Sequence, residues 1–163
     1  KRQPVLFPVA QAESMTAAAH QGFLAPDFTL QTPMGEPVNL TDFQGQPVLV
    51  FFWASWCSVC KSIMPGLQSV YDDYADTGFT ILAVNATFQD NLASAESYFN
   101  AQSYSYTFLL DSADLVSKAY QMRALPTSVL IAPDGIVIDV IIGSGMSEGF
   151  LRAHLDSILA SGQ

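Results

Sequence analysis

The chain has little of several features that would define other classes of protein. Of its 163 residues, six are basic and two are cysteine, and charged residues make up only 13%. Six basic residues within a net charge of −9 cannot form the positive surface that a phosphate backbone requires, which argues against nucleic-acid binding. No apolar run reaches the roughly 18 residues of a membrane-spanning helix. The residues given therefore predict a folded domain without a membrane span.

Half of the residues are hydrophobic, which is enough for one core. We predict one domain over residues 23–163, preceded by a linker or loosely ordered segment over residues 1–22, where hydrophobic periodicity is weak. The sequence opens at Lys1 rather than at methionine. We therefore expect either a mature protein or a piece of a longer one, from which a signal peptide or membrane anchor has been removed.

Both cysteines lie in one short motif. Residues 48–54 form an apolar run rich in β-branched and aromatic residues, typical of a strand buried on both faces, and Cys57 and Cys60 follow shortly after it. From Val59 to Tyr74, apolar residues recur every three or four positions, which predicts an amphipathic helix. Cys57 is thus expected at a helix start, where unpaired N–H groups and the helix dipole favour a thiolate.

Three kinds of site contain two cysteines separated by two residues. A zinc site needs more ligands, and the only histidines, His20 and His154, lie near opposite ends of the chain. A purely structural disulfide would close a loop too short to add much stability. We favour a redox-active dithiol and leave the other two open, with no metal or cofactor expected.

The motif is accompanied by other short signatures, at residues 25–28, 40–45, 125–127 and 133–135. Together with residues 53–61 they resemble the extracytoplasmic thiol–disulfide oxidoreductases of the TlpA/ResA type, which are related to AhpC/TSA proteins. The resemblance covers about residues 25–159. It implies an α/β, thioredoxin-like fold of three layers, in which helices flank a central mixed β-sheet with an N-terminal β-hairpin and an inserted αβ element.

The order of the elements predicted from periodicity agrees with that fold. Strands are predicted at 28–30, 38–40, 47–53, 79–84, 107–110, 127–132 and 136–142, and helices at 58–74, 91–101, 113–120 and 147–159. The last two strands must be antiparallel, because the three residues between them can join only a hairpin.

The predicted active site is built around the two cysteines, with Cys57 as nucleophile and Cys60 as resolving thiol. Pro126 matches the cis-proline of the family. We predict that Trp53 belongs to the core and Trp56 to the surface. The predicted substrate-binding residues are Trp56, Ser58, Val59, Leu125 and Pro126.

The resemblance implies an enzyme of the periplasm or cell envelope that exchanges disulfides with protein thiols. It also implies a monomer that can be exported or membrane-anchored and that exchanges electrons with a membrane protein. The alternative is a redox-inert binding or assembly module with a static disulfide. A peroxidase is not expected, because Val50 and Ala54 stand where a peroxiredoxin needs proline and threonine.

Two positions depart from the wider family. Thioredoxins carry a buried aspartate where this chain has Phe51, and ResA-like proteins carry a glutamate where it has Ile63. Both usual proton acceptors for the resolving thiol are therefore expected to be missing.

Overall fold

The structure, a computed structural model, describes residues 17–162, which form seven strands and four α-helices. The strands are β1 (Thr29–Gln31), β2 (Pro37–Asn39), β3 (Val48–Trp53), β4 (Thr80–Asn85), β5 (Thr107–Leu110), β6 (Thr127–Ile131) and β7 (Val137–Ile142). The helices are α1 (Ser58–Tyr74), α2 (Leu92–Ala101), α3 (Leu115–Ala119) and α4 (Glu148–Ser161). Every predicted strand and helix is confirmed to within about two residues at its ends.

The strands form one sheet in the order β2-β1-β5-β4-β3-β6-β7. β3, β4 and β5 are parallel, β6 runs antiparallel to β3, and β7 runs antiparallel to β6. The β1–β2 hairpin joins through the pairing of Gln31 with Leu110. β3 and β4 are buried at all six positions, which explains their unbroken apolar sequences. The predicted mixed sheet and hairpin are confirmed, and α2 with β5 is the αβ element predicted as an insertion.

Helices on both faces of the sheet give the predicted three layers. On one face, α1, α2 and α4 share a buried cluster with Phe51 and Trp53 of β3. On the other face, Val116 and Tyr120, in and just after α3, pack with Phe52. Alternate residues of β3 thus serve opposite layers, as the pleat of a strand requires. The cluster on the α1 face also contains both cysteines, so the candidate site belongs to that layer.

The first described residues lie against the sheet. The Gly22 N–H donates to the Val137 carbonyl at 2.9 Å, Leu24 pairs with Ile136, and Ala19 is buried. Residues 17–22, the end of the predicted linker, are therefore docked on the domain. The rest of that linker, residues 1–16, lies outside the described residues, and the division at residue 22 stays a prediction. Within residues 17–162, none of the helices combines the length and apolar character that a bilayer crossing needs.

Candidate active site

The two cysteines form a disulfide at the amino end of α1. β3 ends at Trp53, a short turn follows, and Cys57 then caps the first turn of the helix. Its Sγ accepts a hydrogen bond from the Cys60 backbone N–H at 3.1 Å, and the two Cα atoms are 5.3 Å apart. The predicted position of Cys57 at a helix start is confirmed.

The two cysteines differ in their exposure to solvent. Cys57 keeps 7% of its surface exposed, whereas Cys60 is completely buried. Cys57 is therefore the one of the two cysteines that keeps exposed surface. No acidic residue occupies the first turn of α1, and Lys61 lies directly after Cys60. The positive end of the helix therefore acts on Cys57 without a competing negative charge from that turn, which favours a thiolate once the bridge is reduced.

The chain just before β6 lies beside the turn that leads to the cysteines. Phe52 of β3 pairs with Thr127, so Pro126 continues alongside the end of β3. The Leu125–Pro126 peptide bond is cis, as predicted. Leu125 is half-buried and packs against the cluster that contains both cysteines, and the Pro126 carbonyl accepts from the Gly143 N–H at 2.8 Å. The fold thus brings Leu125 to the cluster that contains the disulfide, with Pro126 next to it in the chain.

The other three predicted substrate-binding residues lie at the surface around Cys57. Trp56 is 60% exposed and Val59 is 42% exposed, and Ser58 between them in the chain is exposed as well. Trp53 is completely buried, so the predicted division between the two tryptophans is confirmed. Cys57 therefore has an exposed apolar side chain one residue before it and another two residues after it in the chain.

Further apolar residues that the sequence did not single out lie near this surface. The Trp56 indole N–H donates to the Gln89 carbonyl at 2.9 Å, which fixes Trp56 against the chain between β4 and α2. Phe88 and Leu92 in that region are 36% and 40% exposed. Ile142, which pairs with the first residue of β6 beside the cis peptide, is 61% exposed. Exposed apolar groups on several sides of a disulfide suit a polypeptide better than a small polar molecule.

Asp90 holds the turn that precedes Cys57. Its carboxylate accepts from the Ser55 N–H at 2.7 Å and the Ser55 hydroxyl at 2.6 Å, and from the Asn85 amide at 3.0 Å and the Asn91 N–H at 2.8 Å. Burial raises the pKa of Asp90, but the hydrogen bonds from Asn85, Ser55 and Asn91 outweigh it and hold that pKa below its usual value. A charged carboxylate therefore ties the turn to β4 and α2 at neutral pH.

Comparison with known proteins supplies the family. The profile of the AhpC/TSA family matches residues 22–140. The chain belongs to the AhpC/TSA family. The thiol-disulfide oxidoreductase ResA of Geobacillus thermodenitrificans is 34% identical over 137 residues, which make up 84% of this chain and 77% of that protein. ResA of Bacillus subtilis is 30% identical over 138 residues, or 85% of this chain and 75% of that protein.

A solved structure agrees with these relatives. The thiol:disulfide interchange protein of the thioredoxin family from Chlorobium tepidum superposes with a TM-score of 0.76 at 25% identity, over 85% of this chain and 97% of that chain. The chain is therefore a thioredoxin-fold thiol–disulfide oxidoreductase of the ResA-like group. The family, fold class and enzyme class predicted from the sequence are confirmed.

This member of the AhpC/TSA family lacks carboxylates at the two positions noted in the sequence. Phe51 is completely buried in the same cluster as Cys60, and Ile63 packs against that cluster from α1. Neither side chain can accept a proton. Any proton that Cys60 loses must therefore pass to a group other than these two side chains.

Sequence reasoning missed the residues that brace the active-site turn, chiefly Asn85 and Asp90. A signal for them was present, because Asn85 ends β4 and Asp90 follows it, and the hydrophobic pattern identifies β4 as a buried strand. Carboxyl ends of parallel strands meet at one edge of a sheet, and β4 is the parallel neighbour of β3. Knowledge of the strand order would therefore have placed the polar residues at the end of β4 near Ser55.

Proposed function

We propose that the chain exchanges disulfides with protein substrates outside the cytoplasm, with Cys57 and Cys60 as its redox pair. One observation carries the proposal. The disulfide lies at a helix start, where Cys57 keeps 7% of its surface exposed and Cys60 is completely buried. A structural bridge has no need of that asymmetry, whereas exchange needs one sulfur that a partner can reach and another that resolves the complex.

Cys57 is the nucleophile in this proposal. When the protein acts as a reductant, the Cys57 thiolate attacks a substrate disulfide, forms a mixed disulfide and releases one substrate thiol. The Cys60 sulfur then attacks Cys57, restores the Cys57–Cys60 bond and releases the second substrate thiol. When the protein acts as an oxidant, a substrate thiolate attacks Cys57 and the same steps run in reverse. Both directions use the access to Cys57 described above.

An extended substrate segment is proposed to bind across Cys57. The apolar groups Trp56 and Val59 would contact side chains that flank the substrate cysteine, and the exposed Ser58 would adjoin them. On the other side of Cys57, Leu125 and Pro126 precede β6, where an extended peptide could pair with the chain as an added strand.

The cellular setting is a further part of the proposal. We place the protein in the periplasm or cell envelope, as a monomer that is exported or membrane-anchored and that exchanges electrons with a membrane protein. The resemblance to extracytoplasmic oxidoreductases supports this, and a dithiol of this kind can be kept oxidised there. Fractionation of the native organism and analytical ultracentrifugation of the purified chain test the location and the monomer. A cytoplasmic location or a stable dimer would contradict this part.

Trapping of mixed disulfides tests the proposed roles. Cys60→Ser removes the resolving thiol and leaves Cys57 free to attack, so this variant should retain covalent protein partners on a non-reducing gel. Cys57→Ser is the matched control, because it keeps a single thiol that is buried. It should retain far fewer partners.

The outcomes separate the alternatives. If Cys57→Ser rather than Cys60→Ser retained the covalent protein partners, the assigned roles would be reversed. If neither variant retained a partner and the wild-type bridge resisted dithiothreitol, a static disulfide in a binding module would be the better explanation.

A further inference from the structure

Cys60 must lose its proton before it can act, and its surroundings oppose that loss. It is completely buried in a cluster of apolar side chains, with Phe51 among them. Burial in such surroundings disfavours a thiolate. A hydrogen-bond donor directed at the sulfur would offset part of that effect. One buried hydroxyl on a neighbouring strand lies in a suitable place.

Ser128 points to the same side of the sheet as Cys60. In the register of β3 and β6 it lies directly opposite Phe51, and in the register of β6 and β7 it lies opposite Ile141. Residues directly opposed in a sheet share one face. Phe51 and Ile141 both pack in the cluster that holds Cys60, so Ser128 faces that cluster too.

Ser128 also lies near the carboxyl end of β3, the end from which the chain turns into α1. It is level with Phe51, which lies two residues before Trp53 at the end of β3, or about 7 Å back along the strand. Cys60 comes three residues after Cys57, or about 4.5 Å along the helix. Because α1 leads from β3 to the parallel strand β4, it runs back over the sheet, so Cys60 and Ser128 both lie back from the carboxyl edge of β3.

The Ser128 hydroxyl has no hydrogen-bond partner within residues 17–162, although the residue is completely buried. Such an unpaired group is costly, and native proteins pair nearly all of them. In the oxidised protein, the Cys60 sulfur is bonded to Cys57 and carries neither proton nor charge. Reduction turns that sulfur into a thiol or thiolate, and a thiolate is a far stronger hydrogen-bond acceptor.

We propose that the Ser128 hydroxyl donates a hydrogen bond to the Cys60 sulfur once the disulfide is open, and so compensates in part for the missing carboxylates. The inference rests on the proposed function, in which Cys60 is the resolving thiol. The bond stabilises the thiolate, so Cys60 ionises at a lower pH than its burial alone would permit.

The donor assists one defined step. In the mixed disulfide, the Cys60 thiolate attacks the Cys57 sulfur. The Cys57–Cys60 bond forms, the bond from Cys57 to the substrate sulfur breaks, and that sulfur leaves as a thiolate. Cys60 has given its proton to water and the leaving sulfur takes one from water, so no further reactant is consumed. Ser128 keeps its own proton throughout.

Ser128→Ala tests this proposal, and the chain offers Ser117→Ala as a matched control. Ser117 is also buried, and its hydroxyl likewise lacks a partner in the described part of the chain. It lies in α3, however, on the face of the sheet away from Cys60. For each variant we would measure the equilibrium constant for reduction by glutathione across a pH series. The release rate of a peptide linked to Cys57 is measured over the same series.

Ser128→Ala should lower the equilibrium constant about tenfold where Cys60 is ionised, which corresponds to a potential about 30 mV more negative. The reason is that only the reduced state loses a hydrogen bond. The difference should shrink at lower pH, where Cys60 is a neutral thiol. Peptide release at neutral pH should slow by a similar factor. Ser117→Ala should change neither quantity, and Ser128→Thr, which keeps a hydroxyl, should restore both.

Two results would overturn the inference while leaving the proposed function standing. One is an equilibrium constant and a release rate in Ser128→Ala that equal those of the wild type. The other is an equal loss of unfolding free energy in the oxidised and reduced forms of that variant, since it would indicate a structural role alone. A wild-type bridge that dithiothreitol cannot reduce would overturn the proposed function as well, so the two failures can be told apart.

Discussion

Removal of the Asp90 carboxylate would show how firmly the turn before Cys57 is held. Asp90→Ala leaves four donors without their acceptor, two on Ser55 and one each on Asn85 and Asn91. Asn85 is completely buried and Ser55 is half-buried, so water replaces those bonds poorly, whereas Asn91 is exposed. These three poorly replaced bonds, on two residues, give an expected loss of about 2–3 kcal/mol in unfolding free energy. For a chain of this size, that loss lowers the Tm by about 5–10 °C.

Urea denaturation of the oxidised protein measures this loss. Asp76→Ala is a suitable control, because Asp76 is an exposed carboxylate whose side chain makes no hydrogen bond within residues 17–162. The control should stay within about 0.5 kcal/mol of the wild type. A loss below about 0.5 kcal/mol in Asp90→Ala would refute the claim that the carboxylate holds the turn.

The pH dependence gives a second check on the same residue. Because the folded pKa of Asp90 lies below its ordinary value of 3.8, the stabilisation is complete above that value. It is lost as the pH falls through the lower, folded pKa. Wild type and Asp90→Ala should therefore differ most near neutral pH and converge in acid. A difference that stays constant into the acid range would contradict an ionised, hydrogen-bonded carboxylate.

Three further predictions concern the chemistry at the cysteines. Reduced Cys57 should alkylate at least about tenfold faster than Cys60 at neutral pH, because of its helix start and its access to solvent, and equal rates would contradict the assigned roles. Trp56→Ala should raise the KM for a peptide disulfide about fivefold or more while unfolding free energy stays nearly constant, since the side chain is 60% exposed; an unchanged KM would remove it from the substrate surface. Ile63→Glu should speed release of a Cys57-linked peptide at neutral pH and flatten its pH dependence, because it adds a proton acceptor next to the Cys60 cluster, at some loss of stability. An unchanged release profile would count against that explanation.

Much of the fold was predictable because each element carries its own local pattern. The unbroken apolar sequences of β3 and β4 reflect burial on both faces, and the spacing of apolar residues in α1 reflects its one buried face. The short turn between β6 and β7 allows only an antiparallel pair. The cis peptide bond before Pro126 was predicted from the family resemblance rather than from any local pattern, and the structure has that bond in the cis form.

The parts that were missed depend on contacts between distant residues. Asp90 accepts a hydrogen bond from Ser55, 35 positions away in the sequence, because β3 and β4 are neighbours in the sheet. No local pattern indicates which strands are neighbours. The position of Ser128 beside Phe51 depends in the same way on the register of β3 and β6. Even the docking of Gly22 on Val137 joins two segments that periodicity treats separately. Local patterns thus predict the elements, whereas pairings between elements decide which side chains surround the cysteines.

The reduction potential of the Cys57–Cys60 pair tests the central claim most directly. It is measured by equilibration with glutathione or dithiothreitol buffers and quantification of the free thiols. An exchange-active pair at a helix start should fall within the range of known oxidoreductases, about −120 to −270 mV. A potential below about −300 mV, typical of structural disulfides, would contradict the account.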